Sequence, residues 1–144
     1  MEGFVFMKDK GFTILELMII IAIMGILAVF YIPSLQDTFE RSRSKNAEFN
    51  LLQIYSAQKR YLLSERVYYL CNSSVDLQDN VFGINQNLSI KIEDAYFDYD
   101  IRPEGTDGYQ AMAIRKEGRC ANSTMVITED NSTVRKIIKR GCTW

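Results

Sequence analysis

A long apolar run near the start of the chain limits what this sequence can fold into. Residues 12–32 (FTILELMIIIAIMGILAVFYI) contain a single charged side chain, Glu16. A helix of these 21 residues is about 31 Å long, which is enough to cross the hydrocarbon layer of a bilayer. An ionised carboxylate at membrane depth costs about 2.5 to 3.5 kcal/mol. The position of Glu16 therefore indicates that this carboxylate has a function.

The residues before this run are arranged unlike those of an ordinary secretory signal. Such a signal has a charged end, an apolar core of about 7 to 15 residues and then a small-residue cleavage site. Here the small residue, Gly11, comes before the apolar run and directly after Lys10, and nothing resembling Ala-x-Ala follows Ile32. Processing at Gly11 would leave the apolar helix on the mature protein and would give Phe12 a free α-amino group.

The residues around Gly11 resemble the prepilin signature of type IV pilins and of the pseudopilins of type II secretion and competence systems. The signature combines Gly11, Phe12 and Glu16 with the apolar run behind them, and the resemblance covers residues 8–33. It implies cleavage after Gly11 by a membrane prepilin peptidase and N-methylation of Phe12. A plain membrane anchor with an incidental glutamate is the alternative, but an anchor has no need of these residues in this register.

The resemblance also implies a fold. It predicts an α+β protein in which a long N-terminal helix, transmembrane in its first half and amphipathic in its second, packs on a C-terminal antiparallel β-sheet. The predicted divisions are a leader at 1–11, a transmembrane and assembly helix at 12–33, its amphipathic continuation at 34–64, and a head domain of loop and sheet at 65–144. Either Met1 or Met7 serves as the start of the leader.

The function that the resemblance implies is that of a structural subunit of a type IV pilus, with a type II secretion or competence pseudopilin as the alternative. The implied partners are other pilin subunits in a helical homopolymer, a prepilin peptidase, a pilus assembly platform and, before assembly, the inner membrane. The N-terminus is expected in the cytoplasm, and the head domain in an extracellular pilus or a periplasmic pseudopilus. In the assembled bundle, Glu16 is expected to be neutralised by the α-ammonium of Phe12 on a neighbouring subunit.

Composition argues against a catalytic role. The 144 residues include no histidine, which excludes Ser-His-Asp and Cys-His catalysis and imidazole metal sites. No glycine-rich phosphate loop is present in the sequence either. The formal net charge of −1 predicts no strong field for nucleic acid or anionic lipid. We therefore predict a protein that is not an enzyme, with no cofactor, no metal site and no clear nucleic-acid site.

Beyond the apolar run, the spacing of apolar residues first indicates an amphipathic helix and then indicates strands. Pro33 lacks the amide of a helical hydrogen bond, so the helix either kinks or restarts there. Up to Ser64 the apolar residues recur mostly at steps of three and four, which predicts an amphipathic helix whose stripe around Leu51 needs cover. We predict that an antiparallel meander, with turns at 102–108 and 129–132, packs on this apolar stripe. Its strands are expected at 88–93, 95–101, 109–115, 124–128 and 134–138.

Three cysteines remain: Cys71, Cys120 and Cys142. Oxidising conditions outside the cytoplasm permit a disulfide. Cys120 and Cys142 bracket the last predicted strands, as the paired cysteines of many type IV pilins do, and the resemblance favours this pair with Cys71 free. A pair that involves Cys71 and a set of three buried thiols are the alternatives.

Overall fold

The computed structural model describes the backbone of residues 11–71, 77–118, 120–140 and 142, and their side chains except those of 32–34 and 77–79. These residues form two helices and one four-stranded sheet. The chain divides into two compact units, one ending at Thr38 and the other beginning at Phe39. We call the second unit the head domain, so from here on the name includes the helical residues 39–64 in addition to the predicted loop and sheet at 65–144.

Helix α1 runs from Ile14 to Glu65 without a break, over 52 residues. Of the two alternatives at Pro33, a restart is excluded, because the helix continues through this residue. The stretch Ile14–Tyr31 is long and apolar enough to cross a membrane. All its side chains are exposed in the isolated chain, so this stretch forms no core of its own.

The part of α1 that belongs to the head domain is amphipathic, as predicted. Its buried apolar residues Ala47, Leu51, Ile54 and Ala57 follow steps of three and four. They belong to one hydrophobic cluster that also contains buried residues of the sheet, among them Tyr99. The sheet therefore covers the stripe around Leu51.

The sheet is an antiparallel meander in the order β1-β2-β3-β4, which confirms the predicted α+β fold. Alternate residues of β2 are buried, beginning with Tyr109 and continuing through Ala111 and Ala113 to Arg115. This face therefore belongs to the core. The strands are β1 (Phe97–Glu104), β2 (Gly108–Arg115), β3 (Thr124–Thr128) and β4 (Asn131–Ile137).

A cluster of ionised side chains joins α1 to the sheet. The guanidinium of Arg115 donates to a carboxylate oxygen of Glu40 at 2.8 Å, and the Arg115 side chain is only 3% exposed. Arg43 donates to the same oxygen, also at 2.8 Å. Both guanidiniums lie over the ring of Tyr96, at 4.0 Å for Arg43 and 5.1 Å for Arg115. The carboxylate on the helix thus compensates a buried positive charge on the sheet.

The prediction of a strand at 88–93 is wrong. A second helix, α2 (Leu77–Leu88), occupies the start of this range, and residues 90–94 form no regular element. The side chain of Asn85 accepts from the amide of Ile92 at 2.8 Å and donates to its carbonyl at 3.0 Å. Because Asn85 occupies both backbone groups of Ile92, a neighbouring strand cannot pair with them.

The predicted turn at 102–108 is shorter than expected. β1 continues to Glu104, and only Gly105–Asp107 form the turn before β2. Pro103 therefore lies inside a strand, opposite Tyr109. Proline is tolerated there because β1 is an edge strand, and the missing amide removes no bond from the interior of the sheet. The amide of Cys71 donates to the carbonyl of Ile101 at 2.9 Å, which ties the chain after α1 to this edge.

Candidate functional site

The start of α1 is built as a capping box. Thr13 immediately precedes the helix, and its hydroxyl accepts from the amide of Glu16 at 3.2 Å. The carboxylate of Glu16 in turn accepts from the amide of Thr13 at 3.3 Å and from its hydroxyl at 3.4 Å. This reciprocal pairing satisfies amides that have no partner within a helix. The Thr-x-x-Glu spacing predicts such a cap, and sequence reasoning centred on the charge of Glu16 missed it.

The capping box gives the Glu16 carboxylate hydrogen-bond donors but no counter-charge from the described residues. No lysine or arginine forms an ion pair with this carboxylate in the part of the chain that the structure describes. The nitrogen of Phe12 is a peptide amide as long as Gly11 precedes it. A free ammonium appears next to the helix start only if the chain is cut between these two residues.

Gly11 and Phe12 make few contacts with the described residues. The Phe12 side chain is 78% exposed. A Cβ added at Gly11 would meet no atom within 4 Å, so crowding does not require a glycine at this position. Packing against the described residues therefore does not explain the glycine.

The apolar side chains that follow point outward on all sides of the helix. Large residues around the whole circumference are between two-fifths and four-fifths exposed. Small residues interrupt them at Ala22, Gly25 and Ala28, and a Cβ at Gly25 would meet nothing within 4 Å. Such positions allow a second helix to approach closely. This stretch can be buried only by something outside the single chain, either lipid or other helices.

The structure brings two of the three cysteines together. The sulfur atoms of Cys120 and Cys142 are adjacent, and their Cα atoms are 5.6 Å apart, a normal separation for a disulfide. Cys71 lies elsewhere as a free thiol. Burial raises the pKa of Cys71 to about 12. A thiol with this pKa is protonated at neutral pH and is a poor nucleophile.

The segment that carries Gly11, Phe12 and Glu16 matches a known family. Residues 6–32 match the model described as the prokaryotic N-terminal methylation motif. The chain is also 44% identical over 62 residues to the type IV major pilin protein PilA of Myxococcus xanthus. The N-terminal part of the chain is thus similar to that of type IV pilins and of type II secretion core proteins. The predicted resemblance is thereby confirmed.

Two further relatives represent the two branches of the pilin and pseudopilin family. The type IV major pilin protein PilE of Neisseria gonorrhoeae is 37% identical over 83 residues, which is 58% of this chain and 46% of that protein. The type II secretion system core protein G of Vibrio cholerae is 36% identical over 61 residues, 42% of each chain. The match to PilA covers 43% of this chain and 28% of the relative.

These matches leave much of each chain unaligned. The chain spans about half or less of the length of the curated relatives described here. No solved structure matches this chain.

A metal site in the head domain would require a group of ligating side chains that lie close together. No group of three or more histidine, cysteine, aspartate or glutamate side chains lies close enough to hold an ion among the residues described. Glu129 and Asp130 form the turn between β3 and β4, and the carboxylate of Glu129 accepts from the amide of Tyr109 at 2.5 Å. That carboxylate thus ties the β3–β4 turn to the start of β2.

Proposed function

We propose that this chain is a structural subunit of a type IV pilus. The observation that supports the proposal is the stretch Ile14–Tyr31, which is apolar and exposed around its whole circumference and has one carboxylate in its first turn. A chain built in this way is stable in a bilayer, and it is also suited to a bundle of identical helices in which each helix covers its neighbours. Repeated contacts of one kind that do not close generate a filament.

Cleavage between Gly11 and Phe12 is the first step of the proposed assembly. It breaks the peptide bond and frees the α-amino group of Phe12, one residue before the capping residue Thr13. N-methylation of this group leaves it positively charged. The positive charge then lies at the N-terminus of a helix, where the helix dipole disfavours it and a nearby carboxylate stabilises it.

Glu16 sets the axial register of the proposed bundle. In an apolar environment a carboxylate without a counter-charge is costly, whereas a carboxylate paired with an ammonium on a neighbour is tolerated. A subunit displaced along the bundle axis leaves both charges unpaired. One register is therefore favoured over the alternatives by the charges, while the apolar side chains supply the attraction.

The proposed assembly also implies the other partners of this chain. A prepilin peptidase and a pilus assembly platform act on the chain while residues 12–33 lie in the inner membrane, with the leader 1–11 in the cytoplasm. The head domain then lies outside, first at the membrane surface and finally on the pilus. We assign the chain no catalytic role, since its relatives are named as pilins and secretion core proteins.

The proposal is tested by asking where the chain accumulates. Cells that express it should carry surface filaments that shear off, and mass spectrometry should identify this chain as a repeated subunit of the sheared material. A strain without the prepilin peptidase should retain the uncut chain in the inner membrane. Retention of a cut chain in the membrane, with no filament under any condition, would contradict the proposal.

The alternative is a pseudopilin, and the similarity to the type II secretion core protein G supports it. A pseudopilin filament is confined to the periplasm. Deleting the gene distinguishes the two, because loss of surface filaments with normal protein export indicates a pilin. Loss of export from a strain that has no surface filaments indicates a pseudopilin.

A further inference from the structure

Helix α1 begins shortly after the bond that is proposed to be cut. Its first residue is Ile14, and residues 11–13 belong to no regular element. The first main-chain hydrogen bond at this end runs from the amide of Leu17 to the carbonyl of Thr13 at 3.2 Å. The carbonyl of Gly11, which belongs to the bond to be cut, therefore lies ahead of the helix.

One more turn of helix would include this carbonyl. In an α-helix each amide donates to the carbonyl four residues earlier. A helix extended backwards would therefore pair the amide of Glu16 with the carbonyl of Phe12, and the amide of Leu15 with the carbonyl of Gly11. The Gly11–Phe12 peptide bond would then be wound into the first turn, and its carbonyl would be hydrogen-bonded within the helix.

Apolar surroundings favour such an extension. Hydrocarbon offers no water to the first amides of a helix, and an unsatisfied amide is costly there. An extension would satisfy the amides of Leu15 and Glu16. It would also move the unpaired amides into the leader, which carries Lys8 and Lys10 and lies in water in the proposed topology. A helix start at Ile14 therefore needs a competing partner for these amides.

The capping box supplies that partner. The hydroxyl of Thr13 accepts from the amide of Glu16 at 3.2 Å, and this is the amide that a longer helix would pair with Phe12. The carboxylate of Glu16 accepts in return from the amide of Thr13 at 3.3 Å. Gly11 acts in the same direction, because glycine is among the poorest helix formers. The two side chains thus hold the helix start where the structure has it.

We propose that Thr13 is a positioning residue for leader removal, because its hydroxyl keeps the Gly11–Phe12 bond outside the helix. This inference rests on the proposed function, since it needs the leader to be cut. In the cut, water adds to the carbonyl carbon of Gly11, the bond to the nitrogen of Phe12 breaks, and that nitrogen takes up a proton. Thr13 takes no part in these steps and sets only the conformation of the bond that is attacked.

The test measures leader removal from the full-length chain in detergent by a purified prepilin peptidase. Thr13→Val keeps the shape of the side chain and removes its hydroxyl. Its kcat/KM should fall by about ten-fold, which corresponds to about 1.4 kcal/mol and is typical for the loss of a helix cap. The fall should appear as a raised KM with an unchanged kcat, because the peptidase binds only the unwound fraction of the chains. Thr13→Ser keeps a hydroxyl and should be cut like the wild type.

A second substitution distinguishes positioning from direct recognition of the hydroxyl. Ile14→Pro places proline at the first helical position, where it is tolerated and where it disfavours a helical conformation of the residue before it. A chain that carries Thr13→Val and Ile14→Pro should therefore begin its helix at residue 14 without the hydroxyl. Most of the lost kcat/KM should return. A peptidase that binds the hydroxyl itself would cut this chain no faster than Thr13→Val.

The matched control is Thr106→Val, the same change at an exposed turn residue of the head domain, which should be cut like the wild type. Slow cutting of Thr13→Val with rescue by both serine and proline supports the positioning role. Wild-type kinetics of Thr13→Val, a loss confined to kcat, or no rescue by proline would overturn it. If the unmodified chain is cut at another bond or is not cut at all, the proposed function fails instead.

Discussion

At the scale of single residues, Glu16 combines a local role with a proposed intermolecular one. Its carboxylate completes the capping box with Thr13, and it carries the single charge of the apolar run. The two roles need different chemistry. A glutamine at a capping position can accept the same hydrogen bond as a glutamate, whereas only the ionised carboxylate can neutralise an ammonium.

Glu16→Gln is therefore expected to keep the helix start and lose the assembly contact. We predict normal membrane insertion, normal cleavage and a folded head domain, with at least a ten-fold lower yield of sheared filaments, because an uncompensated ammonium in an apolar bundle costs several kcal/mol. Electron microscopy and quantification of the sheared fraction measure this. Glu93→Gln, an exposed change in the head domain, is the control. Full filament yield from Glu16→Gln, with a loss only in Glu16→Ala, would assign Glu16 to capping alone.

The second residue-scale prediction concerns the site of cleavage. Gly11 precedes the capping box, and packing against the described residues does not require a glycine there. We expect the mature protein to begin at Phe12 and to carry one added methyl group on its amino nitrogen. Intact-mass spectrometry of the protein from filaments measures both features. A mature chain that retains Lys10, or one that begins within the apolar run, would contradict the assignment.

The third residue-scale prediction concerns the thiols. Burial raises the pKa of Cys71 from the ordinary 9.0 to about 12, so at pH 8 the reactive thiolate is about a thousand-fold rarer than in an exposed cysteine. We expect iodoacetamide to modify Cys71 slowly in the folded protein and rapidly in urea. Peptide mapping without reduction should show Cys120 joined to Cys142. A disulfide that contains Cys71, or fast alkylation of the folded protein, would be the contrary result.

At the scale of elements, the segment after α2 shows why local patterns can mislead. Residues 88–93 alternate between apolar and polar, as a strand does, but their backbone pairs with a helix side chain instead of another strand. The apolar residues of α2 itself, such as Val81, Ile84 and Leu88, follow steps of three and four, so a helical signal was present in the sequence. The position of Asn85 decides between the two patterns, because its side chain takes both backbone groups of Ile92. The spacing of apolar residues carries no information about such a contact.

The element-scale prediction therefore concerns Asn85. Asn85→Ala removes both partners of the Ile92 backbone, and because Ile92 is 2% exposed, water cannot readily replace them. We expect the free energy of unfolding to fall by about 2 kcal/mol. Urea unfolding of the full chain in detergent measures this. Gln86→Ala, at the neighbouring exposed position of α2, should change the stability by less than about 0.5 kcal/mol. Equal effects of the two substitutions would refute the role of Asn85.

At the scale of the whole molecule, the sequence predicts the first unit far better than the second. The candidate N-terminal site is a set of neighbouring residues in fixed register, so Gly11, Phe12 and Glu16 can be proposed from the sequence alone. The meander was predicted because its strands alternate and are joined by short turns. The ion cluster could not be predicted from the sequence. Arg115 and Glu40 are separated by 75 positions, and only the folded arrangement of helix and sheet brings them together.

The ion cluster of Glu40, Arg43 and Arg115 leads to a prediction about the stability of the head domain. Glu40→Gln leaves the buried guanidinium of Arg115 without a counter-charge, so we expect the free energy of unfolding to fall by about 3 kcal/mol. Glu48→Gln is the matched control on the same helix. Its partners Lys45 and Lys136 are more exposed than Arg115, and the loss should stay below about 1 kcal/mol. Chemical denaturation followed by circular dichroism compares the two, and equal losses would show that the cluster does not anchor the helix.

The outward-facing residues of Ile14–Tyr31 have a consequence for genetics. Because none of these side chains is buried within the chain, a substitution there leaves the folding of an isolated subunit almost unchanged. Selection on this stretch acts only through its neighbours in a bilayer or in a filament. A mutational scan that is scored by the abundance of folded protein should therefore find these positions permissive, while a scan that is scored by filaments should find them among the most restricted in the chain.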